Sequence, residues 1–289
     1  MKAKLPSPSW VRRLVESALK EDLGDLGDVT SQATIPLNSV SRARMISKGK
    51  GVLCGIPIAI AAFRKIDPRI KIKSQRFDGN FIDPKDVVLE VEGKTRSILA
   101  AERVALNLVQ RLSGIATLTH LFVQKARSQN KHVQILDTRK TTPLLRPLEK
   151  YAVICGGGTN HRFGLYDMVL IKDNHLAALA DQAHPILEAV TRARKKWPRL
   201  KVEVECDTLQ QVREAVEAKA DFILLDNMKL TQLRQAVRII AGRAKSEASG
   251  GVNLRTIAAI ARAGVDFISI GALTHSAPSL DLSLELADR

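Results

Sequence analysis

The sequence predicts an α/β protein made of two dissimilar parts. Over roughly the first 115 residues, short β-rich runs are mixed with helical patterns, which predicts an α+β arrangement. Beyond that point, short Val/Ile/Leu-rich runs alternate with amphipathic helical segments, a rhythm typical of βαβ units around a parallel sheet. The length of 289 residues suits about two domains.

The first part contains helical patterns and β-rich runs in mixed order. Apolar residues at helical spacing predict helices over 9–19, 58–63, 97–112 and, after an interruption expected at Gly114, about 116–128. Runs typical of strands, bounded by Gly, Pro and Asp, lie at 42–47, 70–77 and 87–91.

The second part predicts six parallel strands with helices between them. The strand candidates are 133–136, 168–171, 201–205, 222–225, about 244–247 and 266–270. The helical segments are 176–196, 208–218, 230–242 and 253–263. About 174 residues follow residue 115, whereas a complete eight-unit barrel takes about 250. We therefore expect an incomplete or distorted barrel, with an open doubly wound sheet as the alternative.

Several classes of protein are excluded by composition. No run approaches the roughly 20 apolar residues of a transmembrane helix, and the first residues lack the apolar segment of a secretory signal. The three cysteines, Cys54, Cys155 and Cys206, are far apart and contain no CxxC pair. These features predict a protein of the reducing cytoplasm.

The chain is strongly basic, with 45 Lys and Arg against 30 Asp and Glu, a formal net charge of +15. Residues 40–76 hold ten basic side chains against Asp67 alone. Such a stretch is one signature of nucleic-acid binding. Single-strand binders interleave aromatic residues for stacking, and here only Phe63 is present. A solvated surface is therefore the favoured interpretation, and a nucleic-acid partner is not expected.

Each predicted strand of the second part ends in a polar or glycine-bearing turn. In a parallel barrel these ends meet on one face, where active sites form. Five of the turn residues are basic or imidazole side chains, namely Arg139, Lys140, His161, Arg162 and Lys172. Two are carboxylates, Glu205 and Asp226. Cations beside carboxylates suit a polyanionic ligand that brings Mg²⁺, which prefers oxygen ligands.

A second set of turns predicts phosphate binding. Ser249-Gly250-Gly251 precedes a helix expected to begin near Asn253, so backbone N–H groups would face an anion. Gly271 follows the next strand, and His275 is a candidate ligand contact. The three glycines 156–158 would let His161 and Arg162 approach a ligand closely. Lys172 has an alternative role as a Schiff-base nucleophile, which we rank below anion binding.

Taken together, these motifs closely resemble the quinolinate phosphoribosyltransferase family, also called carboxylating nicotinate-nucleotide pyrophosphorylases. The resemblance runs in order from about residue 10 to 285. It is carried by Glu21-Asp-Leu-Gly24, Asp28-Val-Thr-Ser31, Ala101-Glu-Arg-Val-Ala-Leu-Asn107, Leu112-Ser-Gly-Ile-Ala-Thr117, Asp137-Thr-Arg-Lys-Thr-Thr142, Gly156-Gly-Gly-Thr-Asn-His-Arg162, Lys172-Asp-Asn-His175, Val202-Glu-Val-Glu205, Leu224-Leu-Asp-Asn227, Glu247-Ala-Ser-Gly-Gly251 and Ile270-Gly-Ala-Leu-Thr-His-Ser276.

The resemblance implies a type II phosphoribosyltransferase-like fold. An N-terminal α/β sandwich domain would occupy residues 1–115, and a C-terminal incomplete α/β barrel would occupy 116–289, its last ten or so residues packing back on the first domain. It also implies a homodimer, or a higher oligomer, with shared active sites. The implied reaction joins quinolinate and phosphoribosyl pyrophosphate, with Mg²⁺, to give nicotinate mononucleotide, pyrophosphate and CO₂ in de novo NAD biosynthesis.

The resemblance also implies roles for individual residues. Arg103 would reach the site from a neighbouring subunit, and the quinolinate carboxylates would be bound by Arg139, His161, Arg162 and Lys172. Lys140 would contact the phosphoribosyl donor, and Glu205 and Asp226 would serve its ribose and Mg²⁺. The phosphates would be surrounded by Ser249, Gly250, Gly271 and His275.

Two residues depart from the family pattern in the segment 141–147. Leu144 stands where the family usually has glycine, and Pro147 follows Arg146 where a better helix former is expected. A differently shaped loop is therefore expected there, which leaves the role of Arg146 open. A sibling phosphoribosyltransferase with another acceptor is the alternative function, distinguished by whether the site holds enough cations for a dicarboxylate.

Overall fold

The computed structural model describes residues 4–287. The helices are α1 (Pro8–Leu23), α2 (Val29–Thr34), α3 (Ile56–Ile66), α4 (Thr95–Arg127), α5 (Arg146–Cys155), α6 (Asp173–Ala177), α7 (Pro185–Lys196), α8 (Leu209–Glu217), α9 (Leu230–Ile240), α10 (Ile257–Arg262) and α11 (Ala272–His275). The strands are β1 (Val40–Ser47), β2 (Gly51–Val52), β3 (Lys71–Ser74), β4 (Phe81–Ile82), β5 (Val87–Lys94), β6 (Gln134–Leu136), β7 (Val169–Ile171), β8 (Val202–Cys206), β9 (Phe222–Asp226), β10 (Lys245–Ser249), β11 (Phe267–Ser269) and β12 (Leu282–Leu286).

The chain forms two compact units that are not simple halves of the sequence. Unit 1 contains the residues up to His120, the segment Thr142–Gly157 and the residues from Ser276 onward. Unit 2 contains Leu121–Thr141 and Gly158–His275. The expected domain boundary after residue 115 stays a prediction.

Unit 1 is built on an antiparallel sheet in the order β12-β1-β5-β3. Leu286 at the end of the chain pairs with Ala43 on β1, and Met45 and Leu89 are buried beneath the sheet. Helix α1 buries Val11, Val15 and Leu19, a stripe at four-residue spacing, and α1 contacts α3. The predicted α/β architecture of this part is confirmed.

Unit 2 contains a six-stranded parallel sheet in the order β6-β11-β10-β9-β8-β7, and helices of the same unit follow each strand from β7 to β11. The six predicted strands are therefore confirmed to within a few residues. Among the strands of the described residues, β6 and β7 stand at the two edges of this sheet and do not pair with each other, so the sheet is not a closed barrel, as predicted.

Three predicted helices differ from the structure. Helix α4 runs unbroken through Gly114. A Cβ at this position would lie 2.0 Å from the Pro278 carbonyl oxygen, which explains why glycine stands there. This glycine serves close packing within unit 1 rather than a turn.

The segment expected as one helix over 176–196 is divided into α6 and α7, with Pro185 in the first turn of the second. The third, α10, begins at Ile257 instead of near Asn253.

The basic stretch over 40–76 is largely paired in the structure. Eight of its ten basic side chains form ion pairs, seven of them with acids outside the stretch. On the β1–β5–β3 surface, Arg42 and Lys71 contact Glu92, and Arg44 contacts Glu90. The excess of positive charge over residues 40–76 is therefore offset by neighbouring acids in the folded chain. This favours a solvated surface over a nucleic-acid-binding one.

Between residues 4 and 287, no helix combines the length and the apolar character needed to cross a bilayer.

Candidate active site

A cavity of about 770 Å³ lies at the carboxyl ends of the parallel strands of unit 2. Eleven of the twelve predicted site residues line it, namely Arg139, Lys140, His161, Arg162, Lys172, Glu205, Asp226, Ser249, Gly250, Gly271 and His275. The twelfth, Arg103, is an exposed residue of α4 in unit 1 and does not line this cavity. Parallel strands bring these distant turns together because their carboxyl ends share one face.

The turn after β6 places Arg139 and Lys140 in the cavity. The backbone N–H of Lys140 donates to Thr138 Oγ1 over 3.0 Å, and its carbonyl accepts from Thr274 Oγ1 over 2.6 Å. These bonds tie the turn to the segment that carries Gly271. A Cβ at Gly271 would lie 3.1 Å from both the Lys140 side chain and His275 Nε2, so glycine allows this close packing.

Asp137, which is fully buried, holds the segment that carries His161 and Arg162. Its Oδ1 accepts from the backbone N–H of His161 over 2.8 Å, and its Oδ2 accepts from Asn160 Nδ2 over 2.7 Å. The Arg162 guanidinium donates to the Met168 carbonyl over 3.1 Å. Asp137 therefore positions the backbone from which two candidate substrate-binding side chains project.

The His161 ring is held on both nitrogens. Its Nδ1 accepts from the backbone N–H of Arg162 over 2.7 Å. Its Nε2 lies 3.2 Å from Glu203 Oε2 and 3.5 Å from Glu247 Oε2. Because Nδ1 is an acceptor, the proton belongs on Nε2, which faces the two carboxyl groups. His161 is thus a fixed side chain, and its substrate-binding role stays a prediction.

Glu203 and Glu247 form a buried carboxyl pair that the sequence does not predict as functional. Both side chains are almost fully buried, and Glu247 lines the cavity. Burial raises the pKa of Glu203 to about 7. Burial, together with the nearby charge of Glu203, raises the pKa of Glu247 to about 8. At neutral pH the pair therefore retains at least one proton, which reduces the repulsion between them.

Lys172 and Glu205 form an ion pair across the ends of β7 and β8. The Lys172 side chain is 44% exposed and that of Glu205 is 11% exposed. Because Glu205 binds this amine, the contact does not favour the alternative Schiff-base role, which needs a free neutral amine. Burial and the proximity of Arg139 lower the pKa of Arg162, a sign of concentrated positive charge on this side of the cavity.

The two carboxylates Glu205 and Asp226 fit a hard divalent cation. Glu205 lies in β8, Asp226 is the last residue of the adjacent strand β9, and both line the cavity. Mg²⁺ is commonly held by one or two carboxylates and completed by substrate phosphates. A second group that could hold a metal consists of His161, Glu203 and Glu247, and one ligand atom from each lies within 4.8 Å of those of the other two. Because the carboxyl groups of that cluster favour protonation, they suit Mg²⁺ less well.

The turn after β10 contains the candidate phosphate site. Gly250 and Gly251 have φ values of +89° and +60°, and a Cβ at Gly250 would lie 2.1 Å from Asn227 Oδ1. The following helix, α10, begins at Ile257 rather than near Asn253, although the Ile257 N–H already bonds to the Asn253 carbonyl over 3.0 Å. The phosphate-binding role of this turn stays a prediction. What lies at the cavity is the glycine turn itself, beside Ser249.

The segment 141–147 accommodates both departures from the family pattern. Leu144 has a φ of +66° and is 87% exposed, so it occupies the left-handed conformation that glycine adopts without cost. Pro147 lies in the first turn of α5, where proline is tolerated. Glu149, fully buried, accepts from the Thr142 backbone N–H and from Arg111. The expectation of a different loop shape stays a prediction.

Comparison with known proteins agrees with the motifs. A family model described as "Quinolinate phosphoribosyl transferase, N-terminal domain" matches residues 28–113, and one described as the C-terminal domain matches 115–285. A chloroplastic carboxylating nicotinate-nucleotide pyrophosphorylase of Arabidopsis thaliana is 41% identical over 99% of this chain and 86% of its own sequence. A probable pyrophosphorylase of Bacillus subtilis is 42% identical over 96% of this chain and 93% of its own.

A solved structure is also closely similar. The nicotinate-nucleotide pyrophosphorylase of Francisella tularensis superposes with a TM-score of 0.91 at 39% identity, over 99% of this chain and 98% of that one.

Proposed function

Because this chain belongs to the quinolinate phosphoribosyl transferase family, we propose that its strand-end cavity binds both substrates of that family. The chain catalyses transfer of the phosphoribosyl group from phosphoribosyl pyrophosphate to quinolinate, with decarboxylation, and forms nicotinate mononucleotide for NAD biosynthesis. The observation that supports the assignment of the site is the gathering of Arg139, Lys140, Arg162 and Lys172 around one cavity with two carboxylates.

The cations divide between the two substrates. Quinolinate carries two carboxylates, and Arg139, Arg162 and Lys172 supply charge-assisted donors for them, with the fixed ring of His161 beside them. The side chains of Lys140 and His275 both lie against Gly271, and Lys140 contacts the phosphate groups of the donor. An acceptor with one carboxylate, as in the alternative sibling activity, needs fewer of these cations.

The reaction develops charge that these residues can stabilise. When pyrophosphate leaves the ribose C1, positive charge builds on the sugar and negative charge on the leaving group. Lys140 offsets the negative charge, and Glu205 or Asp226 offsets the charge on the sugar. The cationic side chains hold the pyridine nitrogen against C1, which makes the attack effectively intramolecular. The alkylated, positively charged ring then accepts the electrons released when the adjacent carboxylate leaves as CO₂.

Glu205 and Asp226 are the residues that would hold Mg²⁺. When bound, Mg²⁺ supplies charge neutralisation on the pyrophosphate oxygens. The support for this assignment is their oxygen chemistry and their shared position on the cavity wall.

The test is product formation from quinolinate and phosphoribosyl pyrophosphate with Mg²⁺, resolved by mass spectrometry. We expect nicotinate mononucleotide and CO₂ in equal amounts, with no product when Mg²⁺ is chelated. Nicotinic acid is the control acceptor. Turnover of nicotinic acid in preference to quinolinate would contradict the assignment and favour the sibling activity.

We further propose a homodimer in which Arg103 of one subunit completes the site of the other. The support is that Arg103 is exposed and absent from its own cavity lining, although its motif matches the family. Mixing inactive Arg103→Ala with inactive Lys172→Ala should restore part of the activity, because some mixed dimers carry one intact site. No recovery after verified subunit exchange would contradict a shared site.

A cytoplasmic location is also proposed, supported by the three free thiols. Cell fractionation tests it, and enrichment with an organelle or a membrane fraction would contradict it.

A further inference from the structure

A second group of chemically reactive side chains lies in unit 1, where the reaction makes no use of it. The group consists of Cys54, Asp78 and Cys155, which we call the thiol cluster. One ligand atom from each of the three lies within 4.8 Å of those of the other two. We propose that the thiol cluster is a binding site for one soft divalent cation of the Zn²⁺ type.

The three residues come from separate segments that are fixed independently. Cys54 lies between β2 and α3, and its backbone N–H and carbonyl both bond to Ser113 Oγ, at 2.9 and 3.1 Å. Cys155 is the last residue of α5. Asp78 lies in the turn between β3 and β4. The arrangement is therefore set by the fold of unit 1 and needs little ordering when an ion binds.

The carboxylate is oriented toward the thiols by its own hydrogen bonds. Asp78 Oδ1 accepts from the backbone N–H of Ile56 over 2.9 Å, and Oδ2 accepts from Tyr151 Oη over 2.8 Å. Each oxygen retains a further lone pair for a metal. Such bonds to a ligating carboxylate are the usual second layer of a metal site.

The distances suit a tetrahedral ion. Ligands bonded at about 2.0–2.3 Å to Zn²⁺ lie roughly 3.5–3.8 Å apart, so the cluster needs only a small contraction. A water supplies the fourth ligand.

The net charge of the filled site also favours a bound cation over a disulfide between Cys54 and Cys155. On binding, each thiol releases its proton to solvent and forms a sulfur–metal bond, and the carboxylate donates one oxygen. The resulting complex has a net charge of about −1 beside the first N–H groups of α3, which stabilise negative charge. A disulfide would leave Asp78 without a role in the cluster.

The experiment uses the full chain, reduced and treated with a chelator, and titrates it with Co²⁺ as a spectroscopic probe. We expect one Co²⁺ per chain, a thiolate-to-cobalt charge-transfer band in the near ultraviolet, tetrahedral bands in the visible, and displacement by Zn²⁺. Native mass spectrometry should show the metal gained and two protons lost.

Matched variants locate the site. Cys155→Ser, at a partly buried helix end, should lose the charge-transfer band and the rise in melting temperature with Zn²⁺. Asp78→Asn should lose the visible tetrahedral bands. Cys206→Ser, which changes a buried cysteine of unit 2, should retain both signals. Circular dichroism verifies that each variant is folded. Absence of the band in wild-type protein with three reduced thiols, or an unchanged band in Cys155→Ser, would overturn the proposal.

Discussion

Glu247→Gln should make the stability of the protein less dependent on pH. The native pKa of Glu247 is about 8, against an ordinary value of 4.5, because the group is buried beside Glu203. Between those values the native state keeps a proton that the unfolded chain loses, so the native state is favoured less as pH rises. The unfolding free energy that this tighter proton binding contributes is fully present below about pH 4.5. It is lost as pH rises through about 8. Glutamine remains neutral and resembles the protonated acid.

The magnitude follows from the size of the shift. Each pKa unit corresponds to about 1.36 kcal/mol. From about pH 5 to about pH 7.5, the wild type should lose about 3 kcal/mol of unfolding free energy relative to Glu247→Gln. Glu203 interacts with Glu247, so the comparison measures the change in proton binding by the pair rather than by Glu247 alone.

The assay is urea unfolding followed by circular dichroism at both pH values, for wild type and variant. The matched control is Glu217→Gln, at an exposed position of α8. Its unfolding free energy should change between the two pH values by the same amount as that of wild type. If wild type and Glu247→Gln lose stability in parallel to within about 1 kcal/mol, the buried carboxyl pair does not hold its proton as described.

The remaining predictions concern the cavity and its neighbouring loop. Arg139→Ala should weaken quinolinate binding by about 2–5 kcal/mol, because one carboxylate loses its partner; near-normal affinity by calorimetry would contradict its role. Gly250→Ala should lower the melting temperature and donor affinity more than Gly251→Ala, since only at Gly250 does a Cβ meet Asn227; equal effects would contradict the packing argument. Leu144→Gly should raise stability by up to about 1 kcal/mol in urea unfolding, because it removes a left-handed leucine with little packing to lose; a destabilised variant would contradict this.

The sequence predicts most of the barrel strands well because runs such as Phe222–Asp226 are apolar, largely buried and bounded by polar turns. It also predicts which side chains gather, since parallel topology alone places the turns after β6 to β11 on one face. Arg139, Glu205 and Asp226 therefore reach the same cavity although they are distant in the chain.

What the sequence does not predict are contacts between strands and within turns. Val202-Glu-Val-Glu205 alternates as a strand should, yet the pattern does not tell which face is the interior. In the structure Glu203 is buried against Glu247, while Glu205, on the same face, lines the cavity. Gly114 was expected to end a helix, but its neighbour Pro278 is distant in sequence. The thiol cluster likewise joins three segments that no local pattern connects.

The pairing of β1 with β12 has a consequence for biosynthesis. Ser47 pairs with Leu282, so more than two hundred residues leave the ribosome before β1 obtains this neighbour. Unit 2 is complete by His275, and the unit that begins the chain is the last to be finished. During translation β1 presents an open edge, the kind of surface that pairs with other nascent chains. The charged side chains Arg42 and Arg44 along β1 are the type of residue that discourages such pairing.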